Sequence, residues 1–158
     1  MSFLVIFLGI IAVLFSVAFV TKRRFGILGL ALIAGAYMSA FWVGDLTPII
    51  AGVGIETVTP PLESVVSAGL IIIPAALLLL SGPTYPAGSR RLFGALLFAV
   101  LASTLLLEPL GSALIIDGPG KQVYAFLFDN RTTIVTICLV IALLDIVATK
   151  TPRIPSKH

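Results

Sequence analysis

Residues 3–42 read FLVIFLGIIAVLFSVAFVTKRRFGILGLALIAGAYMSAFW and decide the fold. Two apolar runs, 3–20 and 25–43, carry no charge and are separated by the basic triplet at 22–24. A membrane-crossing helix needs about 20 mostly apolar residues. Because lipid offers backbone groups no hydrogen-bond partner, each run is predicted to be a transmembrane helix. The first run lacks the preceding basic stretch of a signal peptide, so we expect this helix to be retained.

The composition of the whole chain supports this assignment. Of its 158 residues, 59% are hydrophobic and 11% are charged, whereas soluble domains have roughly 45–50% and about 25%. This excludes a water-soluble globule, and the high hydrophobicity excludes a disordered chain. Three further spans are predicted at 62–80, 92–107 and 132–149. The predicted fold is an all-α integral membrane protein, a single domain of five transmembrane helices.

The distribution of charge predicts the orientation of the five helices. Eight of the ten basic residues fall on one side of a five-helix arrangement, namely Lys22, Arg23, Arg24, Arg90, Arg91, Lys150, Arg153 and Lys157. Loops rich in Lys and Arg stay in the cytoplasm. We therefore expect a cytoplasmic (inner) membrane protein with its N-terminus outside and a short basic tail, 150–158, inside. Nucleic acid is not an expected partner, because its binding needs basic residues clustered on a soluble face.

Two segments on the outer side are predicted not to span. Residues 44–59, which contain Pro48, are expected to form an interfacial loop rather than a re-entrant piece. Residues 109–131 contain the turn signal Gly118-Pro119-Gly120. The aromatic stretch at 123–128 after this turn is expected in the headgroup layer.

Asp145 is the acidic residue predicted to lie well inside a span. An intramembrane carboxylate is costly and is treated as a functional hypothesis by default. It could act as a proton or ion relay group. The alternative is structural: Asp145 reaches the cytoplasmic interface or pairs with Arg90, Arg91 or the triplet at 22–24.

Two residues of the third predicted helix also stand out. Glu63 follows Pro60-Pro61 in the first turn, where a carboxylate complements the helix dipole; the alternative is a ligand or ion site at the outer interface. Pro74 lies in mid-helix and is expected to bend the helix, with a gating hinge as the alternative.

Small residues recur at four-residue spacing on two predicted helices. These rows are Ala31, Gly35 and Ser39 on the second helix, and Ala95, Ala99 and Ser103 on the fourth. Such rows let helices approach closely in lipid. We expect them to mediate helix packing, either within the chain or with another membrane protein.

The scarce residues exclude several chemistries. The single histidine is His158 and the single cysteine is Cys138. A Ser-His-Asp triad, a Cys-His pair and a His-rich metal site therefore cannot be built. We expect no cofactor, no metal site and no enzymatic activity.

Two stretches together resemble the colicin V production protein family. One is Lys22-Arg23-Arg24-Phe25-Gly26 with the small-rich helix ILGLALIAGAYMSAFW, and the other is RRLFGALL at 90–97. The resemblance covers about residues 1–107 and implies a small inner-membrane protein linked to toxin-peptide secretion or envelope homeostasis. Five helices of this length with Glu63 opening the third are also similar to a small membrane-arm subunit of respiratory complex I.

Three functions are therefore considered. The first is a non-enzymatic envelope or secretion factor that acts in the lipid bilayer through contacts with other membrane proteins or with itself. The second is an ion- or proton-conducting subunit that uses Asp145. The third is a lipid- or solute-handling protein, which would need a polar cavity.

Overall fold

The computed structural model describes residues 3–54, 60–81, 89–114, 116 and 118–148. Within these ranges the chain is all-α and forms seven helices. They are α1 (Phe3–Thr21), α2 (Phe25–Gly52), α3 (Leu62–Ser81), α4 (Ser89–Leu105), α5 (Leu107–Ala113), α6 (Pro119–Asp129) and α7 (Arg131–Val147). The basic tail 150–158 and residues 55–59 of the predicted outer loop lie outside the described residues.

The longest helix, α2, lies at the centre of the bundle. It packs against α3, α7 and α4, while α1 packs against α4. The start of α2 meets the ends of α3 and α7, and the end of α1 meets the start of α4. We call this the basic end of the bundle, and the opposite end, where α2 and α4 finish and α3 and α7 begin, the cleft end.

Three helices, α1, α2 and α3, are long and apolar enough to cross a membrane. The number rises to five if each of two bent pairs, α4 with α5 and α6 with α7, is one span. Large apolar side chains are exposed on these helices, for example Leu8, Leu77 and Ile137. Such a surface suits contact with lipid when the bundle is embedded in a membrane.

The second helix is longer than predicted. It does not end at Val43 but continues to Gly52, so the interfacial loop predicted for 44–59 is wrong over its first nine residues. Pro48 lies inside α2, where it removes the backbone donor to the Gly44 carbonyl without ending the helix, and the neighbouring Thr47 hydroxyl donates to the Val43 carbonyl at 2.7 Å. The helix ends where Gly54 adopts a φ of +90° and its N–H caps the Ala51 carbonyl.

The fourth and fifth predicted spans are both bent. Helix α4 begins at Ser89 rather than at 92 and breaks at Leu106, and α5 follows at 49° with Glu108 and Pro109 inside it. Pro109 fits in the first turn of α5, which needs no backbone donor, and it leaves the Leu105 carbonyl at the end of α4 without an i+4 donor. The stretch 123–128 is helical and belongs to α6, which meets α7 at 59°. Helix α3 matches its prediction within one residue and continues on both sides of Pro74.

Both predicted rows of small residues lie inside the bundle. Ala31, Ser39, Ala95, Ala99 and Ser103 are all buried. At Gly35 a Cβ atom would lie 2.5 Å from the Ile71 carbonyl oxygen of α3, so the two backbones are in direct contact. These residues mediate packing within the chain.

Two arginines at the basic end cap neighbouring helices. Arg23 donates to the carbonyls of Leu79 (2.9 Å) and Leu80 (2.6 Å) at the end of α3. Arg91 donates to the Phe19 carbonyl at 2.6 Å, and its guanidinium lies 3.9 Å from the centre of the Phe19 ring. The last carbonyls of a helix lack intrahelical donors, so these side chains stabilise the ends of α3 and α1.

Candidate functional site

The structure gives Asp145 a helix-capping contact. Its carboxylate accepts a hydrogen bond from the Gly26 backbone N–H at 2.9 Å, in the first turn of α2. The N-cap residue of α2, Arg24, makes no side-chain cap of its own, so α7 supplies the missing acceptor. A negative charge at this position also complements the helix dipole.

Gly26 makes this contact sterically feasible. A Cβ atom there would lie 2.7 Å from the Ala142 carbonyl oxygen and 2.9 Å from the Asp145 carboxylate. Ala142 and Cys138, three and seven residues before Asp145 and thus on the same face of α7, are both buried. The hydrogen bond from Gly26 to Asp145 thus joins α7 to α2 at the basic end, a structural role with a backbone partner that was not among those considered above.

A polar cleft of about 850 Å³ opens at the cleft end of the bundle. Helices α2, α3, α4, α5 and α7 all contribute to its walls. Seven of its lining side chains bear hydroxyl groups: Ser39, Ser64, Ser67, Thr104, Ser112, Thr132 and Thr136. The volume falls in the range of ligand-binding pockets, roughly 300–1,000 Å³.

A pair of serine hydroxyls lies in the deeper part of this cleft. Ser39 of α2 and Ser67 of α3 are 2.8 Å apart, and Ser39 is only 5% exposed. One hydroxyl of such a pair donates to the other, so the second hydrogen needs a different acceptor. No such acceptor is found among the described residues. The pair therefore retains one donor.

The other hydroxyl hydrogens that can be assigned are already used. Thr104 donates to the Val100 carbonyl at 2.8 Å, and Thr136 donates to the Thr132 carbonyl at 2.7 Å. The Ser112 hydroxyl lies 3.1 Å from the Pro109 carbonyl and 2.8 Å from the Ser64 hydroxyl; when Ser112 donates to Pro109, Ser64 donates to Ser112. The oxygens of Ser64, Thr104 and Thr136 keep lone pairs for a further hydrogen bond.

Three charged residues stand at the mouth of the cleft. Arg131, at the start of α7, lies 3.3 Å from the Glu108 carboxylate of α5, and its guanidinium lies 4.4 Å from the centre of the Phe128 ring. Glu63, the predicted first-turn carboxylate of α3, is exposed and also lines the cleft. Two carboxylates and one guanidinium leave the lining with one net negative charge.

The predicted site residues thus separate into two groups. Glu63 and Ser39 reach the cleft, whereas Asp145 lies at the opposite end of α7. Most of the cleft hydroxyls were not singled out from the sequence. The available signal was the position of hydroxyl residues near the matching ends of four helices, for example Ser64 and Ser67 at the start of α3 and Thr132 and Thr136 at the start of α7.

Within the described ranges, no three His, Cys, Asp or Glu side chains converge in a way that could hold a metal ion. Comparison with protein-family models, with curated proteins and with solved structures gives no match to the chain. The resemblance to the colicin V production protein family therefore stays a prediction.

Proposed function

We propose that this chain is a five-span protein of the cytoplasmic membrane that binds a small polar solute in the cleft. The proposed orientation places the basic end in the cytoplasm and the cleft end, like the N-terminus, outside. The chain would act as a binding or transfer protein and not as an enzyme.

The observation that supports this proposal is the cleft itself, a cavity of about 850 Å³ between five helices whose lining combines hydroxyl, charged and aliphatic side chains. Polar groups within membrane-embedded helices face the bundle interior or a water-filled cavity, where they commonly mark a solute pathway. Hydroxyls from all five of these helices converge here, as solute handling requires. A secretion or envelope function would be compatible with solute binding and stays a prediction.

Ion or proton conduction through Asp145 receives no comparable support. Asp145 is nine residues beyond Thr136 on α7, about 14 Å along the helix axis. It does not line the cleft, and its carboxylate holds the first turn of α2. Solute binding in the cleft is therefore the better-supported function.

Thiol labelling on α7 tests the proposal. In a Cys138→Ala background, Thr136→Cys would place a thiol in the cleft, and the matched control Ile137→Cys would place one at the same depth on a 55% exposed apolar face. The reagent is a membrane-impermeant thiosulfonate that carries a quaternary ammonium group, applied to protein in lipid vesicles.

We expect Thr136→Cys to react and Ile137→Cys to stay unmodified, because lipid covers the latter. Full reaction of both variants in denaturant serves as the control for thiol integrity. An unreactive Thr136→Cys would refute a water-accessible cleft. An equally reactive Ile137→Cys would refute the membrane-embedded arrangement.

A further inference from the structure

The cleft contains more hydrogen-bond acceptors than donors. The hydroxyl oxygens of Thr104 and Thr136 can accept, but their hydrogens already serve backbone carbonyls, and one hydrogen of the Ser64–Ser112 pair is used within that pair. The carboxylates of Glu63 and Glu108 can only accept when ionised.

The open donors of the cleft lie at its mouth, where the exposed Thr132 hydroxyl and four of the five Arg131 N–H groups have no hydrogen-bond partner among the described residues. The lone pairs of the two carboxylates and the hydroxyl oxygens still outnumber these donors. The Ser39–Ser67 pair leaves one hydroxyl hydrogen. Arg131 pairs with Glu108 and lies over the Phe128 ring. A ligand that brings its own donors would therefore satisfy more of this lining than a ligand that brings acceptors.

The net charge of the cleft lining also indicates the class of ligand. Its lining has one net negative charge, and Glu63 has no ion-pair partner among the described residues. The resulting negative electrostatic potential attracts a cation and repels an anion. Combined with the excess of acceptors, the charge favours a cation that also donates hydrogen bonds.

The nature of the walls distinguishes between classes of organic cation. Quaternary ammonium groups have no N–H and are commonly held by aromatic rings. Among the described residues that line the cleft, none is aromatic. The walls are instead aliphatic and hydroxyl-bearing, as at Ala36, Ala40 and Val135. A protonated primary amine, with three N–H donors, fits this lining better.

We infer that the cleft binds its solute through a protonated primary amine. This inference rests on the proposed solute-binding function and specifies its ligand class. A soluble amine and the amino headgroup of a lipid present the same chemistry, and vesicles of different lipid composition separate these two sources.

The test measures protection of the cleft thiol. Thr136→Cys in the Cys138→Ala background is placed in phosphatidylcholine vesicles and labelled with the same impermeant reagent in the presence of ethanolamine or choline, at equal concentration and ionic strength. We expect ethanolamine to protect at a concentration roughly tenfold below that of choline, which has the charge but no ammonium N–H donor. Vesicles that contain phosphatidylethanolamine would protect without added amine if the lipid headgroup is the source.

Two variants added to that background check the cleft chemistry. Glu63→Gln removes a negative charge at the mouth and should raise the half-protecting concentration of ethanolamine roughly fivefold. Asp129→Asn is the matched control, because Asp129 is exposed at the same end of the bundle but does not line the cleft. It should leave protection unchanged.

The labelling results distinguish failure of the amine inference from failure of the proposed solute-binding function. If the thiol is labelled but choline protects as well as ethanolamine, or neither protects, amine recognition is wrong and an open cleft still stands. Amine recognition is also wrong if Glu63→Gln changes protection no more than Asp129→Asn. If the thiol cannot be labelled at all, the solute-binding function and the amine inference fall together.

Discussion

Replacing Gly35 by alanine should separate α2 from α3. The added Cβ atom would lie 2.5 Å from the Ile71 carbonyl oxygen and 2.6 Å from that of Leu70. Both atoms belong to the backbone, so no side chain can rotate away. An ordinary carbon–oxygen contact is about 3.3 Å, so relief of the 2.5 Å contact requires a local separation of about 0.8 Å.

The separation would also break the Ser39–Ser67 hydrogen bond. These serines lie one helical turn from Gly35 and Ile71, and their 2.8 Å contact, opened by about 0.8 Å, exceeds hydrogen-bond range. Overpacking typically costs about 1–3 kcal/mol, and the lost hydrogen bond about 0.5–1.5 kcal/mol. We therefore expect the free energy of unfolding to fall by about 1.5–4.5 kcal/mol.

The assay is reversible unfolding in mixed detergent micelles, followed by circular dichroism. Gly44→Ala is the matched control, because Gly44 lies on the same helix and a Cβ atom there meets nothing within 4 Å. That variant should be neutral or more stable by up to about 1 kcal/mol, since alanine is the better helix former. Equal stability of the Gly35→Ala and Gly44→Ala proteins would refute the close approach of α2 and α3.

Three further predictions use the same unfolding assay. Asp145→Ala removes the acceptor for the Gly26 N–H and should lower the free energy of unfolding by about 1–2 kcal/mol. Asp145→Asn keeps an acceptor and should cost less. Equal losses in the two variants would contradict the capping role. Arg23→Met leaves two carbonyls of α3 without their donor and should lower the free energy of unfolding by about 1.5–3 kcal/mol. The control Lys22→Met should change stability little. Unchanged stability in Arg23→Met would argue against that cap. Glu108→Gln breaks an exposed ion pair and should change stability by no more than about 1 kcal/mol at any salt concentration. A larger, salt-dependent loss would show that the pair is more strongly coupled than its exposure indicates.

The sequence predicts the apolar helices well, because their composition leaves lipid-exposed backbone no alternative to internal hydrogen bonding. The bounds of α3 differ from the prediction by one residue. The predicted end of α2 is wrong because Pro48 looks like a terminator in the sequence, whereas the conformation of Gly54 ends the helix. The break at Leu106 has a local signal, because Pro109 has no N–H to donate to the Leu105 carbonyl. At the second break the Asn130 side-chain amide donates to the Phe126 carbonyl at 2.8 Å.

The cleft could not be predicted because its walls come from distant parts of the chain. Ser39 and Thr136 are far apart in the sequence, and the level at which each lies in the bundle depends on where its helix begins. Asp145 stands out in the sequence because it is a carboxylate in an apolar run, but its partner is a backbone N–H of α2, which a sequence pattern does not display. A single Ser or Thr in a helix does not indicate a site, and the hydroxyls become informative only when they are seen to line one cleft.

The measurement that tests the central claim most directly is the labelling of Thr136→Cys and Ile137→Cys in oriented vesicles, with the impermeant reagent added to each side of the membrane in turn. The account predicts modification of Thr136→Cys from the side that the basic loops do not face, and protection of Ile137→Cys from both sides. Failure of Thr136→Cys to react from either side, or equal reaction of both thiols, would contradict a water-accessible cleft in a membrane-embedded bundle.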